Sequence, residues 1–297
     1  MVVYLSELIA PSAVEELKKH ATIVDNFDHP EEIDAMIIRK QPVTREVIEK
    51  ATKLKVISRH GVGCDMIDLE ACKEYGVKVI IQAGGNAQSV AELAVSFMLA
   101  LARKLKLADQ GLQKGRFNVF APKETIGMDT FGKTVALVGS GHISSKVAAI
   151  MKNGFGCRIL AYSPHLTPEK AAAMGAEYCP DLDEMLKEAD YINISVPLTD
   201  STRHMFNKER LSLLKPTAIL VNTSRGGIVD EDALYEILRD GKIWGAASDV
   251  FTIEPPEKDN PLLSLDNFIA TPHFGSSTYE CMEECGMVAV KNVFANV

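Results

Sequence analysis

Thr134-Val135-Ala136-Leu137-Val138-Gly139-Ser140-Gly141-His142-Ile143-Ser144 is the stretch on which the fold turns. Its first half is a short apolar run of the length and composition of a buried strand. The run ends in glycines where a helix is due to begin. Gly139 permits a tight turn, and Gly141 lets the backbone approach a pyrophosphate, which a helix N-terminus favours through its free amides and dipole. His142 and Ile143 open that helix and join the expected cofactor-binding set. Gly-x-Gly-x-x-Gly alone is a weak signal, and the third glycine is here Ser144, where helix and strand pack closely. Serine is small enough to fit. Position at the head of a regular strand–helix series favours dinucleotide binding over a glycine-rich turn with no ligand.

Downstream, strands are expected at 158–162, 191–195, 218–222, 244–249 and 268–270, with helices at 142–154, 182–189 and 231–240. Upstream, shorter apolar runs at 2–5, 22–24, 35–38, 55–58 and 78–81 alternate with helix-like segments, one of them opening at Pro11. Alternation of this kind predicts an α/β protein with parallel sheets and crossover helices. From Asn86 to Gln113 apolar residues recur at helical spacing with no Pro and no Gly before Gly111. One helix of that length would reach roughly 35–40 Å and could bridge two domains. The preferred layout is two α/β units, the second inserted into the first. The closing segment 276–296 would then return as a helix to the first domain. A head-to-tail pair is the fallback.

Composition narrows the function classes. The chain has 297 residues, 46% hydrophobic and 24% charged, with 32 basic against 40 acidic residues and a formal net charge of −8. That balance gives no general affinity for nucleic acid or anionic membrane, so any anion site must be local. Met1 leads into Val-Val-Tyr-Leu with neither a basic leader nor a long apolar run. No signal peptide or membrane span is expected, and the reading is a cytoplasmic protein. The six cysteines are scattered and include no Cys-x-x-Cys pair. Cys281 and Cys285 lie one helical turn apart, but no nearby His or Cys completes a ligand set, so no metal is expected.

A dinucleotide site of this kind usually places an acid at the end of the second strand, for the ribose hydroxyls. Here that strand ends Tyr162-Ser163-Pro164-His165, and Ser163 takes the position. Losing the acid removes repulsion toward a ribose 2′-phosphate, yet no Arg follows to bind one. NAD is the first expectation and NADP stays open.

Three further motifs follow strand ends: Asn222-Thr223-Ser224-Arg225-Gly226-Gly227, Asp249-Val250-Phe251-Thr252-Ile253-Glu254-Pro255-Pro256, and Thr271-Pro272-His273-Phe274-Gly275. Each alone has a plain structural explanation: Arg225 capping a helix, Glu254 solvated, His273 a structural histidine. In this order, at the edge where open α/β sheets bind ligands, they point to one site. Ser224 as an acyl-transfer nucleophile is a poor rival, since no Gly-x-Ser-x-Gly is present.

With these motifs the chain resembles the D-isomer-specific 2-hydroxyacid dehydrogenases, the family of phosphoglycerate dehydrogenase, glyoxylate/hydroxypyruvate reductase and D-lactate dehydrogenase. The likeness extends to Ser58-Arg59-His60-Gly61-Val62-Gly63-Cys64-Asp65, to Gly84–Glu92, and to Ser195-Val196-Pro197-Leu198-Thr199. It implies a flavodoxin-like substrate domain over 1–99 and 279–297, and an NAD(P)-binding Rossmann domain over 100–278. It implies Arg225, Glu254 and His273 as the catalytic set for interconverting a D-2-hydroxy acid and a 2-keto acid by hydride transfer. His273 would handle the proton on the substrate oxygen, Glu254 would orient its ring, and Arg225 would present a planar fork to carboxylate and carbonyl. By the same correspondence Val196, Pro197, Thr223, Ser224, Arg225, Asp249, His273 and Gly275 would line the cofactor groove, with Asp249 toward the nicotinamide amide. Val62 and Gly63 would offer amides to the substrate carboxylate.

Substrate choice stays open. Arg39 and Lys40 end one strand and Arg59 another, and in phosphoglycerate dehydrogenases corresponding basic positions help hold a phosphate. They are equally readable as solvated cations. His60 stands where the family commonly has a small residue, as a structural or surface histidine or as a specificity contact. A rival on the same fold is a cofactor-sensing protein of the corepressor kind. The resemblance also implies a homodimer, with 86–113 and the loop after it as the contact region.

Overall fold

The computed structural model describes every residue except Ser6. The chain forms two units, Met1–Ser89 with Ser276–Val297, and Val90–Gly275. In the first unit the order is β1 (Val2–Tyr4), α1 (Pro11–Lys18), β2 (Thr22–Val24), β3 (Ala35–Ile38), α2 (Arg45–Lys50), β4 (Val56–Arg59), α3 (Leu69–Glu74) and β5 (Lys78–Ile81). Its strands pair in parallel in the order β2-β1-β3-β4-β5. β3 reads Ala-Met-Ile-Ile without a polar residue because helices cover both of its faces. Met36 and Ile38 pack with Tyr4, Ile48 and Ile57 on one side, while Ala35 and Ile37 pack with Val3, Leu17 and Val56 on the other.

The chain then enters α4 (Ala87–Ala102), whose buried Ala91, Ala94, Met98 and Leu101 join the core of the second unit around Val135, Leu137 and Val147. The division of the two units falls at 89/90, and the chain returns to the first unit at 275/276. The single helix expected over 86–113 is two helices. α5 (Leu105–Gln113) begins after Lys104, which takes a left-handed backbone with φ 51°. Tertiary partners offset the cost of that conformation: Lys104 Nζ bonds the Glu124 carbonyl at 3.0 Å and lies 4.6 Å over the Trp244 ring. α4 alone is about 24 Å long.

The second unit continues with β6 (Thr134–Val138), α6 (His142–Phe155), β7 (Arg158–Tyr162), α7 (Pro168–Ala173), β8 (Glu177–Tyr178), α8 (Leu182–Glu188), β9 (Tyr191–Ile194), α9 (Lys208–Leu211), β10 (Ile219–Asn222), α10 (Glu231–Arg239), β11 (Gly245–Ser248) and β12 (Phe268–Ala270). Its parallel sheet has the order β12-β11-β10-β9-β6-β7-β8. The chain starts in the middle at β6, builds outward to β8, then returns to the other side of β6 at β9. That reversal creates a switch point at the carboxyl ends of β6 and β9, where open α/β sheets bind ligands. The last helix, α11 (Tyr279–Phe294), belongs to the first unit, where Ala289, Val290 and Val293 pack on Val3, Leu17 and Ile37. No helix among the described residues is long and apolar enough to cross a membrane.

Candidate active site

The switch point of the second unit is built for close approach of backbone. Gly139 has φ 114°, and a Cβ there would run into the carbonyl of Ser195 at the end of β9. Gly141 caps α6, and a Cβ there would meet nothing within 4 Å, so the space over the helix start is open. The N–H groups of the first turn, from His142 and Ile143 onward, have no partner within the helix and point outward with the positive end of its dipole. A glycine demanded by crowding on one side and open space on the other fits a diphosphate cradle. Ser144 is buried where α6 meets the sheet, and its Oγ has no hydrogen-bond partner among the described residues. Packing, rather than hydrogen bonding, determines that position. Ser163 is half-buried just past β7, with Pro164 and His165 exposed beyond it. Val196 packs partly into the core, and the Pro197 carbonyl accepts from Thr202 Oγ1 at 2.6 Å.

The three downstream motifs follow β10, β11 and β12, which pair so that Asn222, Ser248 and Ala270 stand in one row. Asn222 organises the first turn. Its Nδ2 donates to the Arg225 carbonyl at 2.8 Å, and its Oδ1 accepts from Ser224 N at 3.0 Å and Ser224 Oγ at 2.7 Å. Thr223 is buried behind it. Arg225 has extended backbone and donates through Nη1 to the Ser224 carbonyl at 2.7 Å. Gly226 is required by contact, because a Cβ would run into the backbone at Phe251 and Thr252.

His273 and Glu254 meet: Nδ1 lies 2.6 Å from Oε2, with both side chains about one-third exposed. Glu254 Oε1 accepts from Phe251 N at 3.0 Å, which fixes the carboxylate from the other side. The Nδ1 contact fixes the orientation of the ring, because the two ring nitrogens are distinct and a bond at one sets the direction of the other. His273 itself has φ 52°, a left-handed conformation that costs a non-glycine residue about 1–3 kcal/mol and persists only where its surroundings over-determine it. Those surroundings are Asp249. Only 2% exposed, its carboxylate accepts from Thr271 Oγ1 at 2.6 Å, Phe274 N at 2.9 Å and Gly275 N at 2.9 Å. The buried charge is thus met by donors on both sides of His273.

The first unit holds the remaining expected residues. Arg59, at the end of β4, donates to the carbonyls of Gly63 at 2.5 Å, Ile38 at 3.0 Å and His60 at 2.9 Å. It thereby shapes the loop that presents Val62 and Gly63. His60 is buried, 4% exposed, and its Nε2 has no hydrogen-bond partner among the described residues. Burial first, then the Arg39 charge, push its pKa below the usual histidine value, against the opposing Met282 backbone. A surface role for His60 is thereby excluded. Arg39 reaches Ser277 Oγ at 2.9 Å and the Leu8 carbonyl at 3.4 Å. Glu7, which no motif singled out, accepts from the backbone N–H groups of Arg39, Lys40 and Gln41. A lone acid after a three-residue strand carries no signal in sequence. Cys281 and Cys285 lie with their sulfurs 3.7 Å apart, and no group of His, Cys, Asp and Glu among the described residues could hold a metal ion.

Residues 95–275 match the model of the D-isomer specific 2-hydroxyacid dehydrogenase NAD binding domain. A D-3-phosphoglycerate dehydrogenase of Methanocaldococcus jannaschii is 46% identical over 261 residues, 88% of this chain and 49% of that protein. A hydroxypyruvate reductase of Thermotoga maritima is 44% identical over 266 residues, 89% of this chain and 84% of that one. The chain thus spans about half of the first relative and most of the second. Among solved structures, D-lactate dehydrogenase of Aquifex aeolicus complexed with NAD and lactic acid matches with a TM-score of 0.86, 30% identity, and coverage of 99% of this chain and 95% of that one. The chain belongs to the D-isomer specific 2-hydroxyacid dehydrogenase family, and its second unit is of the nicotinamide-binding kind.

Proposed function

We propose that the protein is an oxidoreductase interconverting a D-2-hydroxy acid and its 2-keto acid with NAD(H), NADP(H) remaining the alternative at Ser163. The observation that carries this reading is the Glu254–His273 contact at 2.6 Å, set in a left-handed turn braced by Asp249 at a sheet's carboxyl edge. A bound nicotinamide supplies or accepts the hydride. Gly139, Gly141, His142 and Ile143 would hold its diphosphate, and Ser163, Val196, Pro197, Thr223, Ser224, Asp249 and Gly275 would line the remainder of the groove. In the reducing direction the substrate carbonyl oxygen gathers negative charge. His273 Nε2–H donates a proton to that oxygen, and takes it back from the alcohol in reverse. Glu254 holds the ring and balances its charge when protonated. Arg225 offers a planar fork to the carboxylate and carbonyl, and Val62 and Gly63 offer backbone amides. By the family resemblance Arg59 and Arg39 would also serve substrate binding, Arg59 by holding the 60–63 loop.

The same reading includes a cytoplasmic location and a homodimer. Leu105, Leu112, Val119, Phe120 and Ile126 are all exposed in and after α5, with Phe120 unburied altogether. Apolar exposure of that extent marks an interaction surface. Absorbance at 340 nm tests the activity, crossing NADH and NADPH with glyoxylate, pyruvate, hydroxypyruvate and 3-phosphohydroxypyruvate. Turnover of at least one 2-keto acid is expected. A folded, cofactor-binding protein inert toward all of them would overturn it.

A further inference from the structure

We propose that Glu7 is a built-in counter-anion that makes the protein favour 2-keto acids carrying a single anionic group. The proposal rests on the activity proposed above, and its physical basis lies entirely within the first unit. At the end of β3 the chain turns so that successive backbone N–H groups converge on one carboxylate. Arg39 N lies 2.6 Å from Glu7 Oε2, Lys40 N lies 2.5 Å from Oε1 and 2.7 Å from Oε2, and Gln41 N lies 3.2 Å from Oε2. Consecutive amides closing on an oxyanion form an anion nest, the arrangement by which backbone binds phosphates and carboxylates. The nest is flanked by its own cations, since Arg39 and Lys40 supply two of the amides.

Position gives the nest its meaning. β3 and β4 are neighbours, and Ile38 pairs with Arg59, so the 39–41 turn and the 60–63 loop leave adjacent strands at the same level. Adjacent strands lie about 4.8 Å apart, a distance that a three-carbon acid covers. A substrate whose carboxylate rests on the Val62 and Gly63 amides would therefore set its far end over the nest. Glu7 already fills it. A hydroxymethyl group or a hydrogen meets no penalty there, whereas a phosphate or second carboxylate meets a like charge and amides already engaged. Both Glu7 and Arg39 are only half-buried, so the carboxylate stays in contact with solvent and can be exchanged for another anion.

A purely structural Glu7 would tie the β1–α1 connection to the 39–41 turn and leave substrate preference untouched. Two variants separate the ideas. Glu7→Gln keeps an acceptor for the nest and removes the charge, and Glu7→Ala empties it. kcat/KM is measured with hydroxypyruvate and with its 3-phosphate, and thermal midpoints are measured with and without inorganic phosphate. Wild type is expected to prefer hydroxypyruvate. Glu7→Gln is expected to shift the ratio at least tenfold toward the phosphate ester, chiefly through KM. Inorganic phosphate is expected to raise the midpoint of Glu7→Ala in a saturable way and leave wild type unmoved. Should Glu7→Ala fail to fold, the Glu7→Gln ratio decides. Ratios within twofold of wild type, a wild type that prefers the phosphate ester, or equal phosphate responses in all three proteins would overturn the proposal. A wild type that reduces no 2-keto acid refutes the activity instead, and the phosphate titration still judges the nest.

Discussion

Asp249 and Glu7 perform the same local task in the two units. Each follows a strand of a parallel sheet and seats its carboxylate on consecutive backbone amides of a turn beyond a neighbouring strand, Phe274 and Gly275 for Asp249, Arg39 to Gln41 for Glu7. Their surroundings differ. Asp249 is almost without solvent contact and has a third donor in Thr271 Oγ1, so it is a fixed brace. Glu7 is half open to water, and the turn it holds carries two cationic side chains. Burial converts a carboxylate on a nest into part of the scaffold, because desolvating it without its full set of donors is expensive. Exposure leaves the same motif as a site that another anion can contest.

The largest effect that would test this contrast comes from Asp249→Asn. The amide would turn an N–H toward N–H donors, leaving at least one buried group unpaired, at a cost of about 1–3 kcal/mol in urea unfolding. With the 271–275 turn loosened, kcat should fall about 10²-fold, as expected when a reacting group shifts by an ångström. Glu7→Gln should lose less than about 1 kcal/mol, the range of an exposed interaction. Equal losses at the two positions would remove the distinction.

A smaller effect concerns His60 beside the exposed nest. Its folded pKa is depressed by burial and by Arg39, so the unfolded chain binds the proton more readily than the folded one. Stability is therefore complete above the unfolded value, about 6.5, and declines as pH falls below it. Thermal midpoints of wild type and His60→Asn, compared between pH 7.5 and 5.5, should show a smaller acid loss in the variant. An unchanged pH dependence would mean that His60 does not contribute to it. Smallest of all is Ser144→Ala. Removing a buried hydroxyl that has no partner should leave the midpoint equal or slightly raised, within about 1 kcal/mol, and a loss above that would reveal a hydrogen bond at Ser144 Oγ.

Much of the fold was legible because its signals are local. Apolar β-rich runs marked the strands of both sheets except β8, whose two residues, Glu177 and Tyr178, are both exposed at the sheet edge and have no apolar pattern. Gly139 was legible as a turn glycine, although the contact that demands it, the Ser195 carbonyl, lies in another strand's end. The break at Lys104 was not legible. Nothing in 99–106 resembles a stop, and the partners that stabilise it, Glu124 and Trp244, are distant in sequence. At the candidate site, Arg225, Glu254 and His273 were singled out by their order after strand ends, and of these the contact between Glu254 and His273 is seen. The brace by Asp249 and the nest under Glu7 were not, because each depends on backbone amides, which carry no residue signature. Arg59 was read as a substrate contact, and its bonds to the Gly63, Ile38 and His60 carbonyls, which support the loop, carry no sequence signature.

The central claim is that His273, held by Glu254, handles the proton on the substrate oxygen. The most direct measurement is kcat for His273→Gln in the 340 nm assay, alongside its thermal midpoint and its affinity for the reduced nicotinamide by fluorescence. The account predicts a fall of about 10²–10⁴-fold in kcat with the midpoint and cofactor affinity nearly unchanged. A folded, cofactor-binding His273→Gln protein that keeps the activity of wild type would contradict it.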